Sequence, residues 1–505
     1  MKILPQRAAG ACLHLTSLPG PHGIGSLGQE ALRFMDVLAA AGLRVWQFLP
    51  TGPTGYGDSP YQSASAFAGN PLLIDLIELR ERALLTDAEL ATLADLPNSK
   101  VDYQQVIPLK TQLLARAGER FAREADASWR FAREEFIAQH DRVWLHDYAL
   151  FEVLKGMHQQ RAWIEWEASY ARRDPDAIRT LEQAARVQID SVKSIQFLFF
   201  EQWRALRCHA ASRGIRLMGD TPIYLALDSA DAWANRELLN LTADGTPAEV
   251  AGVPPDYFSA DGQRWGNPLY RWDRHAADGY QWWITRFAHA IALADLVRVD
   301  HFRGFEAYWA VPAESKTARV GEWRPGPGAD LFDALRAALG DLPVIAEDLG
   351  VITPAVDALR SRYGFPGMQV LQFLIGEDDF DADAIPENCV CYTGTHDNDT
   401  TVGWFRGGRG DVRTPEEIRR MQEIVLRRTQ GTAETIHRDV LELAFGTRAA
   451  LVMAPIQDFL GLGSAARLNR PGTTRRNWRW RLNRKQLTDE LCASVRVMVA
   501  EASRV

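Results

Sequence analysis

Eight short apolar segments, most of them separated by helix-like stretches, constrain the fold of this chain more than any other feature. They begin at Ala11, Leu43, Ile215, Leu296, Pro343, Met368, Asn388 and Ala450. Strands that alternate with helices predict a parallel sheet, and eight such units close into a barrel. We therefore predict an α/β protein built on a (β/α)8 TIM barrel, with a doubly wound open sheet as the alternative.

The spacing of these segments predicts that two insertions interrupt the barrel. Residues 1–75 would contain strands one and two, residues 196–225 strand three, and residues 280–505 the remainder of the catalytic barrel. Charged residues and helix formers dominate 76–195, which predicts a mainly helical insertion subdomain. Glycine and proline are so frequent in 226–279 that we predict a loop-rich insertion lining the active site.

Composition limits the class of protein. The formal net charge is −8 and the lysines and arginines are scattered, which argues against nucleic acid or a membrane as partner. The five cysteines form no CxxC pair, which favours a reducing compartment. The first ten residues lack the apolar core of a signal peptide. We expect a soluble cytoplasmic protein, and the sequence does not indicate its oligomeric state.

A glycine pattern near the start of the chain requires a separate interpretation. Residues 23–28 read GIGSLG and precede a helix, which matches the dinucleotide-binding fingerprint. The next strand, however, ends at Pro50 rather than at the acid that binds a ribose. A tight strand-to-helix connection is the better interpretation, and we expect no cofactor.

The central apolar segment, 296–305, ends in a set of polar side chains. Because side chains alternate along a strand, Arg298 and Asp300 share one face and Val297 and Val299 the other. A neighbouring guanidinium favours the ionised carboxylate. Asp300 is therefore either a nucleophile or part of a structural salt bridge.

Acids follow other strands as well. Asp220, Glu347 and Asp397 fall at the carboxyl end of their predicted strands or a step or two beyond. Active sites of such barrels lie at this end. Packing of a core would not collect acids there, so we predict a shared catalytic site.

Three classes of function fit these acids. A metal-dependent hydrolase would use His301, His396, Asp397 and Asp399, but the sequence has no HxH or HExxH pair. A non-catalytic sugar-binding protein would not need these acids. Glycosyl chemistry needs one ionised and one protonated carboxyl. Asp300 beside Arg298 suits the first role, and Glu347, which follows the apolar run 344–346, suits the second. We predict no metal site.

The chain resembles the 4-alpha-glucanotransferases, the amylomaltase or disproportionating-enzyme family (glycoside hydrolase family 77) of the alpha-amylase clan. The resemblance extends from residue 11 to about residue 480. The matching motifs are LTSLP at 15–19, DSPYQ at 58–62, GDTPIY at 219–224, GVPPD at 252–256, GQRWGNP at 262–268, RVDHFRG at 298–304, AEDLG at 346–350 and THDN at 395–398.

This resemblance implies roles for individual residues. Asp300 would be the nucleophile that forms a covalent glucosyl-enzyme, and Glu347 the general acid and then the base. Asp397 would hold sugar hydroxyls and stabilise the transition state. The substrate-binding residues would be Tyr61, Asp220, Gln263, Trp265, Arg298 and His396. The loops at 58–62, 252–267 and 462–474 would shape the groove.

The resemblance also implies the reaction, which is transfer of α-1,4-glucan segments from maltooligosaccharides or longer glucans to a glucose or glucan acceptor with net retention. Carboxylates at strand ends do not distinguish a sugar acceptor from water. A retaining α-glucan hydrolase of the same clan is therefore the alternative that the residues themselves leave open.

Overall fold

The structure is a computed structural model that describes residues 3–4, 6–255, 259–408 and 411–504. Asp256, the last residue of the GVPPD motif, lies outside the described residues. The strands, numbered along the chain, are β1 Ala8–Cys12, β2 Val45–Gln47, β3 Arg216–Thr221, β4 Glu249–Val253, β5 Gln263–Pro268, β6 Leu296–Val299, β7 Ala307–Pro312, β8 Glu322–Pro325, β9 Val344–Ala346, β10 Gly367–Val370, β11 Cys389–Tyr392 and β12 Leu451–Pro455.

Eight of these strands form one parallel sheet in the order β10-β11-β12-β1-β2-β3-β6-β9. The two outer strands also meet, because the Ala346 N–H at the end of β9 donates to the Pro366 carbonyl just before β10 at 2.9 Å. The sheet thus curls into a barrel, as its eight apolar segments predicted. The barrel fold is confirmed, and each of its eight strands overlaps one of the predicted segments.

The inside of the barrel is filled by side chains from alternate strand positions. The strand residues of this cluster are Val45, Met218, Leu296, Ile345, Met368, Val370, Val390, Tyr392, Leu451 and Met453, and Leu4 packs with them. Gly10 of β1 has no side chain there, and a Cβ atom would lie 2.5 Å from the Val45 carbonyl oxygen. Residues one position along, such as Val297 and Val299, pack instead in a cluster outside the barrel.

Helices cover the outside of the barrel and fill the first insertion. Between residues 76 and 195 the described backbone contains helices and turns but no strand. The α-helices are α1 Gln29–Ala40, α2 Leu76–Glu81, α3 Asp87–Leu90, α4 Tyr103–Glu124, α5 Ala127–His140, α6 His146–Met157, α7 Ala168–Ala171, α8 Pro175–Ala184, α9 Arg186–Ser212, α10 Ala230–Ala234, α11 Trp272–Ala277, α12 Gln281–Leu293, α13 Gly328–Leu339, α14 Pro354–Arg362, α15 Leu371–Leu374, α16 Thr401–Arg406, α17 Pro415–Thr429, α18 Ile436–Gly446, α19 Ile456–Phe459 and α20 Asp489–Glu501. Among the described residues, no helix is both long and apolar enough to span a membrane.

The second insertion is more regular than its glycine and proline content predicted. β4 and β5 lie within 226–279 and join β7 and β8 in a four-stranded antiparallel sheet, in the order β5-β4-β7-β8. β7 and β8 follow β6, within the range 280–505 that the sequence predicts to be barrel. The pairing joins residues distant in sequence, so local composition does not reveal it.

Two strand ends also differ from prediction. The predicted sixth strand, 368–374, is a strand only to Val370 and then continues as α15. The predicted seventh strand, 388–395, ends at Tyr392. Asp397 therefore lies in the loop after β11 rather than at a strand tip.

Candidate active site

Arg298 is the centre of a buried charge network at the carboxyl end of the barrel. Its Nη1 donates to both carboxylate oxygens of Asp220, at 2.8 and 2.7 Å. Its Nη2 lies 2.9 Å from Asp300 Oδ1. The side chain of Asp220 is 0% exposed, whereas that of Asp300 is 30% exposed. Asp220 thus neutralises and holds the guanidinium, which leaves Asp300 as the carboxylate that a substrate can reach.

Tyr61, in the loop after β2, connects this network to His396 in the loop after β11. Its hydroxyl donates to Asp220 Oδ2 at 2.9 Å, and burial raises the pKa of this phenol well above its usual value. Tyr61 is therefore a neutral hydrogen-bond donor. Its ring stacks on His396, with centroids 5.2 Å apart, and Trp478 packs against both rings.

Glu347 is held by two backbone N–H groups. The N–H of His301 donates to Oε2 at 2.7 Å and the N–H of Leu349 donates to Oε1 at 2.8 Å. Burial raises the pKa of Glu347 to about 7, and the nearby charge of Asp300 adds to this rise. Arg298 and the two N–H groups act in the opposite direction. The result is a carboxyl group that exchanges a proton near neutral pH.

Asp397 is oriented by the loop that follows β12. The side-chain amide of Asn469 donates to Asp397 Oδ1 at 2.6 Å, and Arg467 Nη2 donates to the Asp397 backbone carbonyl at 2.7 Å. His396 Nε2 lies 3.3 Å from the same Oδ1. The Asp397 side chain is 46% exposed, so these contacts fix it on one side and leave the other side open to solvent.

The accessory sheet contributes the last two predicted residues, Gln263 and Trp265 of β5. Trp265 Nε1 donates to Gln263 Oε1 at 3.2 Å. The Trp265 ring packs edge-to-face on His301, with centroids 4.8 Å apart. Burial lowers the pKa of His301 to about 4, so its imidazole is neutral. β5 thereby brings an aromatic side chain next to the residue that follows Asp300.

The structure brings all nine predicted site residues into one connected group, although their individual roles stay predictions. Sequence reasoning assigned no role to Asn469, Trp478 or the backbone N–H groups of His301 and Leu349. Asn469 lies in a loop that was expected to shape the groove, but a single asparagine in such a loop carries no further signal. Backbone N–H groups are present at nearly every residue and leave no trace in a sequence.

The described part of the chain offers no set of ligands for a metal ion. No group of three or more His, Cys, Asp or Glu side chains there is arranged to hold a metal ion. His301 and His396 instead pack against aromatic rings, in two separate parts of the site.

Comparison with known proteins gives a consistent result. A family model described as 4-alpha-glucanotransferase matches residues 13–488. The chain is 46% identical over 509 residues to the 4-alpha-glucanotransferase of Thermus thermophilus, with 99% of each chain covered. It is 46% identical over 501 residues to the protein of that name from a Synechocystis strain, with 97% and 96% covered. The amylomaltase from Streptococcus agalactiae in complex with acarbose superposes with a TM-score of 0.92 at 35% identity, over 99% of this chain and 100% of that chain.

Proposed function

The chain belongs to the 4-alpha-glucanotransferase family, and we propose that it transfers α-1,4-glucan segments by a retaining double displacement at Asp300, Glu347 and Asp397. The observation that carries the proposal is a pair of neighbouring carboxyls in unlike settings. Asp300 is paired with Arg298, whereas Glu347 is buried with a pKa raised to about 7. Unlike settings suit one carboxylate as nucleophile and one carboxyl as acid.

In the first half-reaction, Asp300 attacks the anomeric carbon of the donor glucose at the scissile bond. Glu347 donates its proton to the glycosidic oxygen, the C–O bond breaks, and the leaving glucan departs with a free hydroxyl. A glucosyl ester on Asp300 remains. Arg298 holds the attacking carboxylate through its 2.9 Å contact.

In the second half-reaction, the ionised Glu347 removes the proton from the 4-hydroxyl of an acceptor. The acceptor oxygen attacks the anomeric carbon from the face that the first glucan left, and the ester bond to Asp300 breaks. Two inversions give net retention. Retaining chemistry requires the two carboxyl groups to lie about 5–5.5 Å apart.

The remaining residues would bind the donor sugar. Asp397, open on one side and held by Asn469, would accept hydrogen bonds from ring hydroxyls that strengthen in the transition state. Gln263 and Trp265 would contact a glucose unit from the accessory sheet. A relative of this fold has been solved with acarbose bound, which supports maltooligosaccharides and longer α-1,4-glucans as substrates.

Incubation with maltotriose tests transfer against hydrolysis, the alternative that the acids themselves leave open. Transfer yields a ladder of shorter and longer glucans with little new reducing sugar. Glucose and maltose with steadily rising reducing power would instead indicate a hydrolase. Addition of a chelator is expected to leave the rate unchanged, and loss of activity that a divalent metal restores would favour the metal-dependent alternative.

Substitution of the two acids tests their roles. Asp300→Asn and Glu347→Gln are each expected to lower the transfer rate by roughly 10³-fold or more, because neither amide can attack or exchange the proton. Glu314→Gln, which changes an exposed acid between β7 and β8, is the matched control. Near-normal turnover of a folded Asp300 or Glu347 variant would remove that residue from the mechanism.

A further inference from the structure

Arg303 contacts the two loops that supply the N–H groups on Glu347. One loop is the turn 301–305, to which Arg303 itself belongs, and it supplies the N–H of His301. The other follows β9 and supplies the N–H of Leu349. Arg303 Nη1 donates to the backbone carbonyl of Val351 in that second loop. The Arg303 side chain therefore connects the two loops whose N–H groups hold the Glu347 carboxylate.

We propose that Arg303 is a positioning residue for the transfer reaction, which holds the two loops so that both N–H groups stay on the Glu347 carboxylate. This inference rests on the proposed role of Glu347 as acid and base. Arg303 itself does not need to touch the sugar, since its nearest catalytic connection runs through the backbone. Arg303 is 7% exposed whereas Val351 is 56% exposed, so the hydrogen bond between them is only partly shielded from water.

The accessory sheet fixes the position of the Arg303 guanidinium. Its Cζ atom lies 3.8 Å from the centre of the Trp323 ring in β8. Trp323 is in turn held edge-to-face by its cross-strand neighbour Trp309, with centroids 5.3 Å apart. Stacking a planar guanidinium on an aromatic face restricts it to one plane. The β7–β8 hairpin thereby acts as a support for the acid/base loop.

The electrostatic setting of Glu347 makes this role measurable. Arg298 of β6 lowers the pKa of Glu347, and Asp300, which follows β6, raises it. His301 is neutral because burial lowers its pKa to about 4. Asp348, the next residue, pairs elsewhere, with Arg360 at 3.2 Å and the Met368 N–H at 2.7 Å. Loss of one N–H donor would therefore raise the pKa of Glu347, because such donors stabilise the ionised form.

The test compares the pH dependence of kcat/KM for maltotriose transfer in Arg303→Met, Arg303→Lys and the unaltered enzyme. Methionine keeps much of the apolar volume but cannot donate to Val351. We expect the alkaline limb to move up by about half a unit or more in Arg303→Met, and by less in Arg303→Lys. Trp323→Leu should shift it in the same direction, which keeps the test open if Arg303→Met does not fold.

The matched control is Arg324→Met. Arg324 lies in β8 next to Trp323 and pairs with Glu249 and Glu322, so its loss should leave the alkaline limb of the profile in place. The shift should persist at high salt, where long-range charge effects are screened. A uniform loss of rate without a shift, or a shift that salt abolishes, would overturn the proposal. If Glu347→Gln remains active, the proposed catalytic role fails instead, so the two failures are distinguishable.

Discussion

At the scale of single residues, the environment of Glu347 determines when it can act. Burial and Asp300 raise its pKa to about 7, against two N–H donors and Arg298. The protonated form needed to release the first glucan is therefore available at neutral pH. The same raised pKa lowers the stability of the folded state as pH rises from about 4.5 to about 7, because the folded protein binds this proton more tightly than the unfolded chain does.

The first prediction concerns pH. We expect kcat/KM for maltotriose to fall above about pH 7, since the free enzyme then loses the Glu347 proton. The measurement is an initial-rate profile at fixed ionic strength, with far-UV circular dichroism at each pH to verify that the protein stays folded. A profile that stays level well past pH 7 would contradict the assignment of Glu347 as the acid.

The second prediction concerns Asn469, whose amide donates to Asp397 Oδ1 at 2.6 Å. Asn469→Ala frees the carboxylate to rotate, so we expect kcat to fall by about 10-fold or more, with little change in the free energy of unfolding. Asn388→Ala, at the opposite end of β11 and exposed to solvent, is the control. Equal rates in both variants would show that Asp397 needs no such support.

At the scale of elements, β1 leaves no room for a side chain at Gly10. It pairs in parallel with β12 on one side and β2 on the other. At Gly10 a Cβ atom would lie 2.5 Å from the Val45 carbonyl oxygen and 2.6 Å from Met453 Sδ. Glycine normally weakens a strand. At this position it stabilises β1, because the neighbouring backbone and interior side chains approach too closely to admit a side chain.

The third prediction follows from this contact. Gly10→Ala should lower the free energy of unfolding by about 1–3 kcal/mol, since the methyl group overpacks the barrel interior. Gly156→Ala in α6, where a Cβ atom meets nothing within 4 Å, should be neutral or stabilising by up to about 1 kcal/mol. Urea unfolding of the two variants checks both values, and equal stabilities would refute the close approach.

At the scale of the whole molecule, the end of the chain is tied to the start of the barrel. Arg504 is 0% exposed and its guanidinium donates to the carbonyls of Phe445, Thr447, Ala449 and Ala8. The first three of these residues precede β12, and Ala8 begins β1. A single side chain thus holds the terminal helix, the last barrel strand and the first one together.

The fourth prediction is that Arg504→Met lowers the free energy of unfolding by about 2–4 kcal/mol, because four carbonyls lose a charged donor and those of Phe445 and Thr447 keep a second one from Arg7. Activity at low temperature should be retained, since the active site lies at the other end of the strands. Arg496→Met, an exposed arginine of α20, is the control. Thermal unfolding followed by circular dichroism checks this, and matching midpoints would refute the role.

The barrel and its acids could be predicted from the sequence because both depend on local patterns. Apolar strand segments recur between helices, and parallel strands bring their carboxyl ends to one edge. Arg298 and Asp300 share a face because strand side chains alternate. The raised pKa of Glu347 follows in direction from the apolar run before it.

The remaining parts of the site depend on contacts between segments far apart in sequence. Asn469 meets Asp397, β4 pairs with β7, and Arg303 lies on Trp323, yet nothing in the local sequence of either partner indicates the other. The N–H groups of His301 and Leu349 become specific only when the folded backbone directs them at one carboxylate. The sequence determines which side-chain groups are present and which of them share a strand face. The directions of backbone N–H groups and the pairing of distant loops are determined only when the chain has folded.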